Sequence, residues 1–265
     1  MKIGIHGING KMGLAIAAEI QRQQQDQLVS ASVRNGHSWA DKTLAQVSDL
    51  KLLPVRLTSN LQQLCAPADV IIDFTRPEAT HLLLPVCRHL KKPMMIGTTG
   101  FTGPAREWIE QAATEIPIVL ASNTSVGVTI LQEVSRRVAA LLGPEQWDVE
   151  IFEAHHRNKV DAPSGTALRL GETIAQAQNS NFEERKRYGY QGKRRPGDIG
   201  FAVQRAGEII GDHEVSFIND LEILKFSHYA RSRRIFAQGA LTAARWLQGR
   251  PAGLYTMGQV LGFEA

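Results

Sequence analysis

The first thirteen residues constrain the fold more than any other part of the chain. Lys2–His6 is a short apolar run that passes straight into Gly7-Ile8-Asn9-Gly10-Lys11-Met12-Gly13, and the stretch beyond carries Met12, Ile16 and Ile20 at helical spacing. A strand that turns into a helix through G-x-x-G-x-x-G predicts a parallel α/β sheet able to hold a phosphate. Missing side chains permit the tight turn, admit a pyrophosphate against the backbone and let helix pack on strand. The helix start adds N–H donors and a partial positive charge. An ordinary strand–helix turn would also tolerate glycines. The place of this one, after a first strand and before an apolar-faced helix, favours a dinucleotide.

Cofactor choice in such folds is decided past the second strand, where an acid binds the ribose hydroxyls of NAD. Here residues 28–33 read as that strand, and Val33 and Arg34 stand at its end. Neither can do the acid's work, whereas Arg34, helped by Lys11, can pair with a 2′-phosphate. NADPH is the expected donor, with NADH usable. A plain surface cation is the competing reading of Arg34.

Further strands are expected at 69–74, 93–96 and 117–121, with a helix over 102–115. This alternation is that of a Rossmann-like, doubly wound α/β sheet. The texture changes after Gly127. Helices are expected over 128–142 and 166–178, a strand over 147–154, and a polar, basic loop over 179–197. Three strands at 199–203, 208–217 and 221–228, joined by short turns, suggest antiparallel neighbours, and a last helix covers 235–247. The reading is therefore a dinucleotide-binding domain of residues 1–126 and 236–265. Residues 127–235 form a C-terminal α+β domain with an open mixed sheet, for substrate binding and oligomerisation.

Composition narrows the partners. Of 265 residues, 43% are hydrophobic and 21% charged, as in a soluble globular protein. No run approaches the roughly 18 apolar residues of a membrane span, and the N-terminus has no secretory pattern. Two cysteines, Cys65 and Cys87, suit a reduced cytoplasmic protein better than a disulfide scaffold. The net charge of +4 gathers at 185–187, 193–195 and 231–234. Without interleaved aromatics or a recognition helix, these runs read as solvated loops or a funnel for a small anion, not as a nucleic-acid surface.

The most specific chemistry lies in residues 153–167, Glu-Ala-His-His-Arg-Asn-Lys-Val-Asp-Ala-Pro-Ser-Gly-Thr-Ala, between a strand and a helix. Ser164 is a natural N-cap, and the amides of Gly165 and Thr166 behind it suit a carboxylate. A histidine trades protons near neutral pH, and a lysine donates one or holds an anion. Reducing a carbon–nitrogen double bond needs that pairing of a proton source with a hydride donor. A metal site from His155 and His156 lacks completing ligands, so no metal is expected.

With these residues the chain resembles the 4-hydroxy-tetrahydrodipicolinate reductase (dihydrodipicolinate reductase) family of lysine biosynthesis. The likeness runs through the glycine loop, Asp73-Phe74-Thr75-Arg76-Pro77-Glu78, Gly97-Thr98-Thr99-Gly100-Phe101, residues 122–128 and residues 153–167. It continues through Arg205-Ala206-Gly207, residues 211–215 and residues 236–240. The resemblance implies His155 as acid/base residue and Lys159 as proton donor. It implies substrate contacts at His156, Gly165, Thr166 and Arg233. It also implies a pyrophosphate held by Gly7, Ile8, Asn9, Gly10, Lys11 and Met12, and a nicotinamide end lined by Gly97, Thr98, Thr99, Ala121, Ser122, Asn123 and Thr124. The family commonly carries an acid where Val33 stands, which disfavours NADH here, and its members are usually homotetramers. The implied partner is a small cyclic dicarboxylate, with neither nucleic acid nor membrane. A related reductase, or a catalytically silent NADP-binding sensor, would share the glycine loop. The sensor would not need both His155 and Lys159. A covalent aldehyde dehydrogenase would need a nucleophilic cysteine beside a base, which neither cysteine's surroundings offer.

Overall fold

A computed structural model of the chain describes residues 1–51 and 53–263. Its elements are β1 (Lys2–His6), α1 (Lys11–Gln23), β2 (Gln27–Ser32), α2 (Leu44–Val47), β3 (Leu57–Thr58), α3 (Leu61–Cys65), β4 (Val70–Asp73), α4 (Pro77–His89), β5 (Met94–Ile96), α5 (Pro104–Ala113) and β6 (Pro117–Leu120). There follow α6 (Val126–Leu141), β7 (Asp148–His155), α7 (Gly165–Ala177), α8 (Phe182–Arg185), β8 (Lys186–Arg187), β9 (Ile199–Arg205), β10 (Asp212–Ile218) and β11 (Ile223–Tyr229). The chain closes with α9 (Arg234–Trp246), β12 (Gly253–Tyr255) and α10 (Met257–Val260). It separates into two compact units, Met1–Val126 with Arg234–Ala265, and Gly127–Arg233.

The first unit is a parallel sheet of seven strands in the order β12-β6-β5-β4-β1-β2-β3. The order reverses at β1, which has β2 on one side and β4 on the other, and the connections there leave a crevice at the strands' carboxyl ends. Both faces are covered, so the central strands are apolar on both sides. Ile3, Ile5, Ile72, Met95 and Val119 pack with Ile16 and Ile20 of α1 and with Ala237, Ala240 and Leu241 of α9. Ile71, Met94, Ile96 and Ile118 pack on the other face with Leu83, Leu84 and Ile109. Cys65 and Cys87 are buried free thiols in that layer. α9 comes so close to the chain after β6 that a Cβ at Gly239 would collide with the Thr124 carbonyl.

The second unit is a five-stranded mixed sheet in the order β11-β10-β7-β9-β8. Val149, Ile151, Val215, Phe217, Ile199 and Phe201 form its inner face with Leu131 of α6 and Leu170 and Ile174 of α7. β10 and β11 pair antiparallel as the spacing suggests, but β9 and β10 are not neighbours. β7 lies between them, parallel to β9 and antiparallel to β10. Residues 206–211 therefore cross over the end of β7 instead of closing a hairpin. The expected loop over 179–197 also holds a short helix and strand, α8 and β8. Its basic residues are largely paired within the unit: Arg187 and Arg195 with Asp198, and Arg194 with Asp148 and Glu150.

One buried acid ties α1 to α9. Glu19 accepts from Arg234 Nε at 3.0 Å and from Gln238 Nε2 at 2.9 Å. The Arg234 hydrogen bond, working against burial, holds its pKa at about 2, below the ordinary 4.5. A carboxyl with a depressed folded pKa stabilises fully above its unfolded value and loses that contribution as pH falls through the folded one. Urea denaturation between pH 4.5 and 2 should therefore show a steeper acid loss for the native protein than for Glu19→Gln. The difference should be at most about 3 kcal/mol, because Arg234 is exposed and water screens the pair. Parallel acid profiles would refute the assignment.

Candidate active site

Along β7, Val149, Ile151 and Glu153 share the inner face, so an acid occupies a core position of a central strand. Its side chain is completely buried. A carboxylate removed from water has to be met by donors at both oxygens, and three segments supply them. His155 Nδ1 lies 2.6 Å from Oε2, and Ser164 N donates to Oε1 at 2.9 Å. Arg205, at the end of β9, straddles the group with Nη1 on Oε2 and Nη2 on Oε1, both at 2.7 Å. Burial by itself pushes the Glu153 pKa up. The hydrogen bonds from His155, Arg205 and Ser164 outweigh it and hold the value at about 2.

The same cluster sets the start of α7. Ser164 Oγ accepts from Ala167 N at 3.1 Å, an N-cap, and shares a 3.1 Å hydrogen bond with His213 Nε2. His213 lies directly opposite Glu153 in the β7–β10 ladder. Burial, and next the neighbouring His155, lower its pKa to about 4, so it is neutral at pH 7. The His155 and His213 rings meet edge to face at 5.2 Å. Lys159, on the loop between β7 and α7, pairs with Asp161 at 2.8 Å. Gly165 opens α7 exposed, with open space where a side chain would be. Thus His155, His156, Lys159, Gly165 and Thr166 all sit on one strand end, one loop and one helix start. Arg233, the last residue of this unit, is exposed.

In the first unit the predicted cofactor residues lie on the loops after β1, β2, β5 and β6. Gly7 has φ +79°, and the amides of Gly7 and Ile8 both donate to Ser32 O at 3.2 and 3.0 Å. A Cβ at Gly13 would stand 2.5 Å from Gly7 O and 2.7 Å from Ile8 Cα, so only glycine lets α1 lie against the turn. Gly10 is the N-cap and places no side chain over the helix start. Asn9, Lys11 and Arg34 are exposed and Met12 half-buried, while Val33 is buried. Gly97 packs against the Phe74 ring, and Ala121 N donates to Ile96 O at 3.0 Å. The Thr98 hydroxyl accepts from Thr75 N at 2.8 Å and that of Thr124 donates to Phe236 O at 2.7 Å, so both are engaged by the protein itself. Thr99 and Ser122 are exposed, and Asn123 Oδ1 accepts from Ser125 N at 2.9 Å.

Beneath these loops lies a second buried acid. Asp73 accepts from the hydroxyls of Thr75 and Thr80 and is level with His6 in the β1–β4 ladder. Burial raises the Asp73 pKa and lowers that of His6. Sequence reasoning assigned no role to Glu153, Arg205, His213, Asp161, His6 or Asp73. For Glu153 a signal exists: an acid in step with Val149 and Ile151 on an otherwise apolar face. Arg205 and His213 carry no local signal, because their strands meet β7 only through the sheet order.

Among the described residues, no group of histidines, cysteines and acids could hold a metal ion, and no helix is long and apolar enough to cross a membrane. Residues 1–124 match the family profile described as dihydrodipicolinate reductase, N-terminus, and residues 127–261 that described as dihydrodipicolinate reductase, C-terminus. Two relatives named 4-hydroxy-tetrahydrodipicolinate reductase are each 42% identical to the chain. That of Magnetococcus marinus covers 100% of this chain and 99% of its own length, and that of Pseudomonas fluorescens covers 98% of both. A solved structure, the dipicolinate-bound dihydrodipicolinate reductase of Paenisporosarcina sp. TG-14, shares the fold with a TM-score of 0.78. It is 23% identical and covers 97% of each chain.

Removing one partner of a buried ion pair leaves the other charge uncompensated, at a cost of about 3–5 kcal/mol. Arg205→Met should lose stability of that order in chemical denaturation at pH 7, and Arg205→Lys should recover only part of it, since an ammonium cannot span both oxygens. A loss below about 0.5 kcal/mol, the range of an ordinary surface substitution, would show that Arg205 does not support Glu153.

Proposed function

Because this chain belongs to the dihydrodipicolinate reductase family over nearly its whole length, we propose that it is an oxidoreductase of lysine and diaminopimelate biosynthesis. It reduces the cyclic imine dicarboxylate made from pyruvate and aspartate semialdehyde to tetrahydrodipicolinate. The observation that carries the reading is the gathering of His155, His156, Lys159 and the Gly165–Thr166 helix start on adjoining segments of the second unit. That gathering pairs proton donors with a carboxylate-binding turn. The same reading makes the protein a cytoplasmic homotetramer, and the exposed Ile223 and Tyr229 of β11 suit an assembly face.

The first unit fits a dinucleotide. Gly13 lets α1 close against the turn after β1, and Gly10 leaves the α1 start without a capping side chain. In this reading Gly7, Ile8, Asn9, Gly10, Lys11 and Met12 hold the pyrophosphate, and Arg34 with Lys11 holds a 2′-phosphate. Gly97, Thr98, Thr99, Ala121, Ser122, Asn123 and Thr124 line the nicotinamide end, with Thr98 and Thr124 contributing shape and backbone. When bound, NADPH supplies the hydride, and NADH serves less well.

The chain's own part is binding, orientation and protonation. The amides of Gly165 and Thr166, at the positive end of α7, take one carboxylate. His156 and Arg233 add contacts, and the positive charge of Arg233 draws a dianion inward. Water leaves the hydroxylated ring to give the conjugated imine. Lys159 Nζ or His155 Nε2 then provides the proton that balances the incoming hydride, so the ring gains two electrons and two protons in all, one proton within the hydride and one from the protein.

A coupled assay tests the reaction: a synthase makes the ring from pyruvate and aspartate semialdehyde, and loss of NADPH or NADH absorbance is followed. Oxidation that needs both the synthase and this protein is expected. NADPH binding without turnover would instead favour a silent sensor. His155→Ala and Lys159→Ala should each lower kcat by about 10²–10⁴-fold while leaving the KM for NADPH nearly unchanged. Near-normal kcat in both would refute their roles. Arg34→Ala should raise the KM for NADPH by about tenfold or more, the worth of a lost charge-assisted hydrogen bond, and hardly alter that for NADH. Equal effects on both would make Arg34 a plain surface cation.

A further inference from the structure

Two features of the second unit bear on which nitrogen of His155 exchanges the proton. The first is Glu153. Its buried carboxylate accepts from His155 Nδ1, from both terminal nitrogens of Arg205 and from Ser164 N. With its pKa near 2 it carries no proton at neutral pH and can only accept. A contact of 2.6 Å between Nδ1 and such an oxygen requires the hydrogen to be on Nδ1. A neutral imidazole with Nδ1–H has its lone pair on Nε2.

The second feature is Gly211, just before β10. Its φ lies outside the left-handed region, so the backbone does not demand glycine there. Space does. A Cβ at this position would stand 3.1 Å from His155 Nε2, 3.5 Å from its Cδ2 and 3.8 Å from His213 Cε1. Gly211 is itself buried against that edge of the ring, and glycine keeps a methyl group from crowding Nε2. The ring itself is otherwise well enclosed, with a side-chain exposure of 12%.

We propose that Glu153 is the positioning residue of the proton-transfer centre, fixing His155 as the Nδ1–H tautomer so that Nε2 is the nitrogen that exchanges the proton, and that Gly211 keeps a side chain from crowding Nε2. This rests on the reductase reading for the identity of the reaction, but the tautomer itself does not depend on it. The bond that changes is at Nε2: the imidazolium gives the Nε2 proton to the reduced ring and is left neutral with its hydrogen on Nδ1. Glu153 neither gains nor loses a proton. Because the same carboxylate holds Ser164 N, the orientation of His155 and the position of the carboxylate-binding helix start are set by one group. Arg205 keeps that group ionised, so it does not compete with His155 as an acid.

The test starts with the native protein. With ¹⁵N-labelled histidine at about pH 8.5, above the ordinary imidazole range, the His155 signals are identified by their loss in His155→Ala. Nδ1 protonated and Nε2 bare is the expected pattern. Nε2 protonated would overturn the proposal. Glu153→Gln should lower kcat by about 10²-fold or more, as when other orienting carboxylates lose their charge, and should lose the Nδ1–H pattern. In a His155→Ala background the same change should cost less than about threefold in kcat, since no imidazole is left to orient, while its hold on Ser164 N still shows as a raised KM for the ring. A full additional loss in the double variant would mean a general structural role and would also overturn the proposal. Should Glu153→Gln fail to fold, Gly211→Ala decides. Its kcat should fall at least tenfold with NADPH affinity and the Nδ1–H pattern retained, and an unchanged kcat would defeat the role of Nε2. Native protein with the Nδ1–H pattern but no turnover in the coupled assay would overturn the reaction and uphold the tautomer.

Discussion

An ionised carboxylate without water has to be surrounded by donors, and in the second unit that requirement fixes the surroundings of Glu153. Its donors come from β7 itself, from β9 and from the loop entering α7. Losing any one of them would leave a buried charge short of partners, which is costly in a low-dielectric interior. Strand order, the seating of α7 and the orientation of His155 are therefore coupled. Ser164 extends the coupling, since its amide serves Glu153 while its hydroxyl caps Ala167 and meets His213.

The first unit handles a buried acid differently. Asp73 has hydroxyl donors and His6 beside it but no guanidinium among its hydrogen-bond partners, and burial carries its pKa upward. Glu153, with a bidentate arginine, goes the other way. The contrast follows from what each site holds. The Asp73 group braces the loops after β4 and β5, through Thr75 and Thr98. The Glu153 group holds His155 Nδ1, Ser164 N and Arg205 on a single fixed anion.

Much of the first unit was legible in the sequence because its signals are local. Lys2–His6 is apolar, Gly7, Gly10 and Gly13 follow at once, and the buried strands β4, β5 and β6 are short apolar runs bounded by polar or turn residues. The loop's purpose could be read too, since a glycine that would otherwise meet Gly7 O at 2.5 Å has a reason to be glycine. Less legible was what each loop residue does. Thr98 and Thr124 are expected by resemblance at the nicotinamide end, and the structure adds that their hydroxyls bond to Thr75 N and Phe236 O. Hydrogen bonds between residues 23 and 112 positions apart leave no mark on spacing.

The sequence by itself determined the doubly wound sheet, the place of the glycine loop, and the concentration of histidine, lysine and a helix start in residues 153–167. These depend on side-chain periodicity and on neighbours a few residues apart, which any chain segment carries with it. Only the tertiary structure decided that β7 lies between β9 and β10, which consecutive short turns had suggested would pair with each other. That order brings Arg205 and His213 to Glu153 from opposite sides. The choice depends on how all five strands pair and bury their faces together, and no window of local sequence contains that comparison.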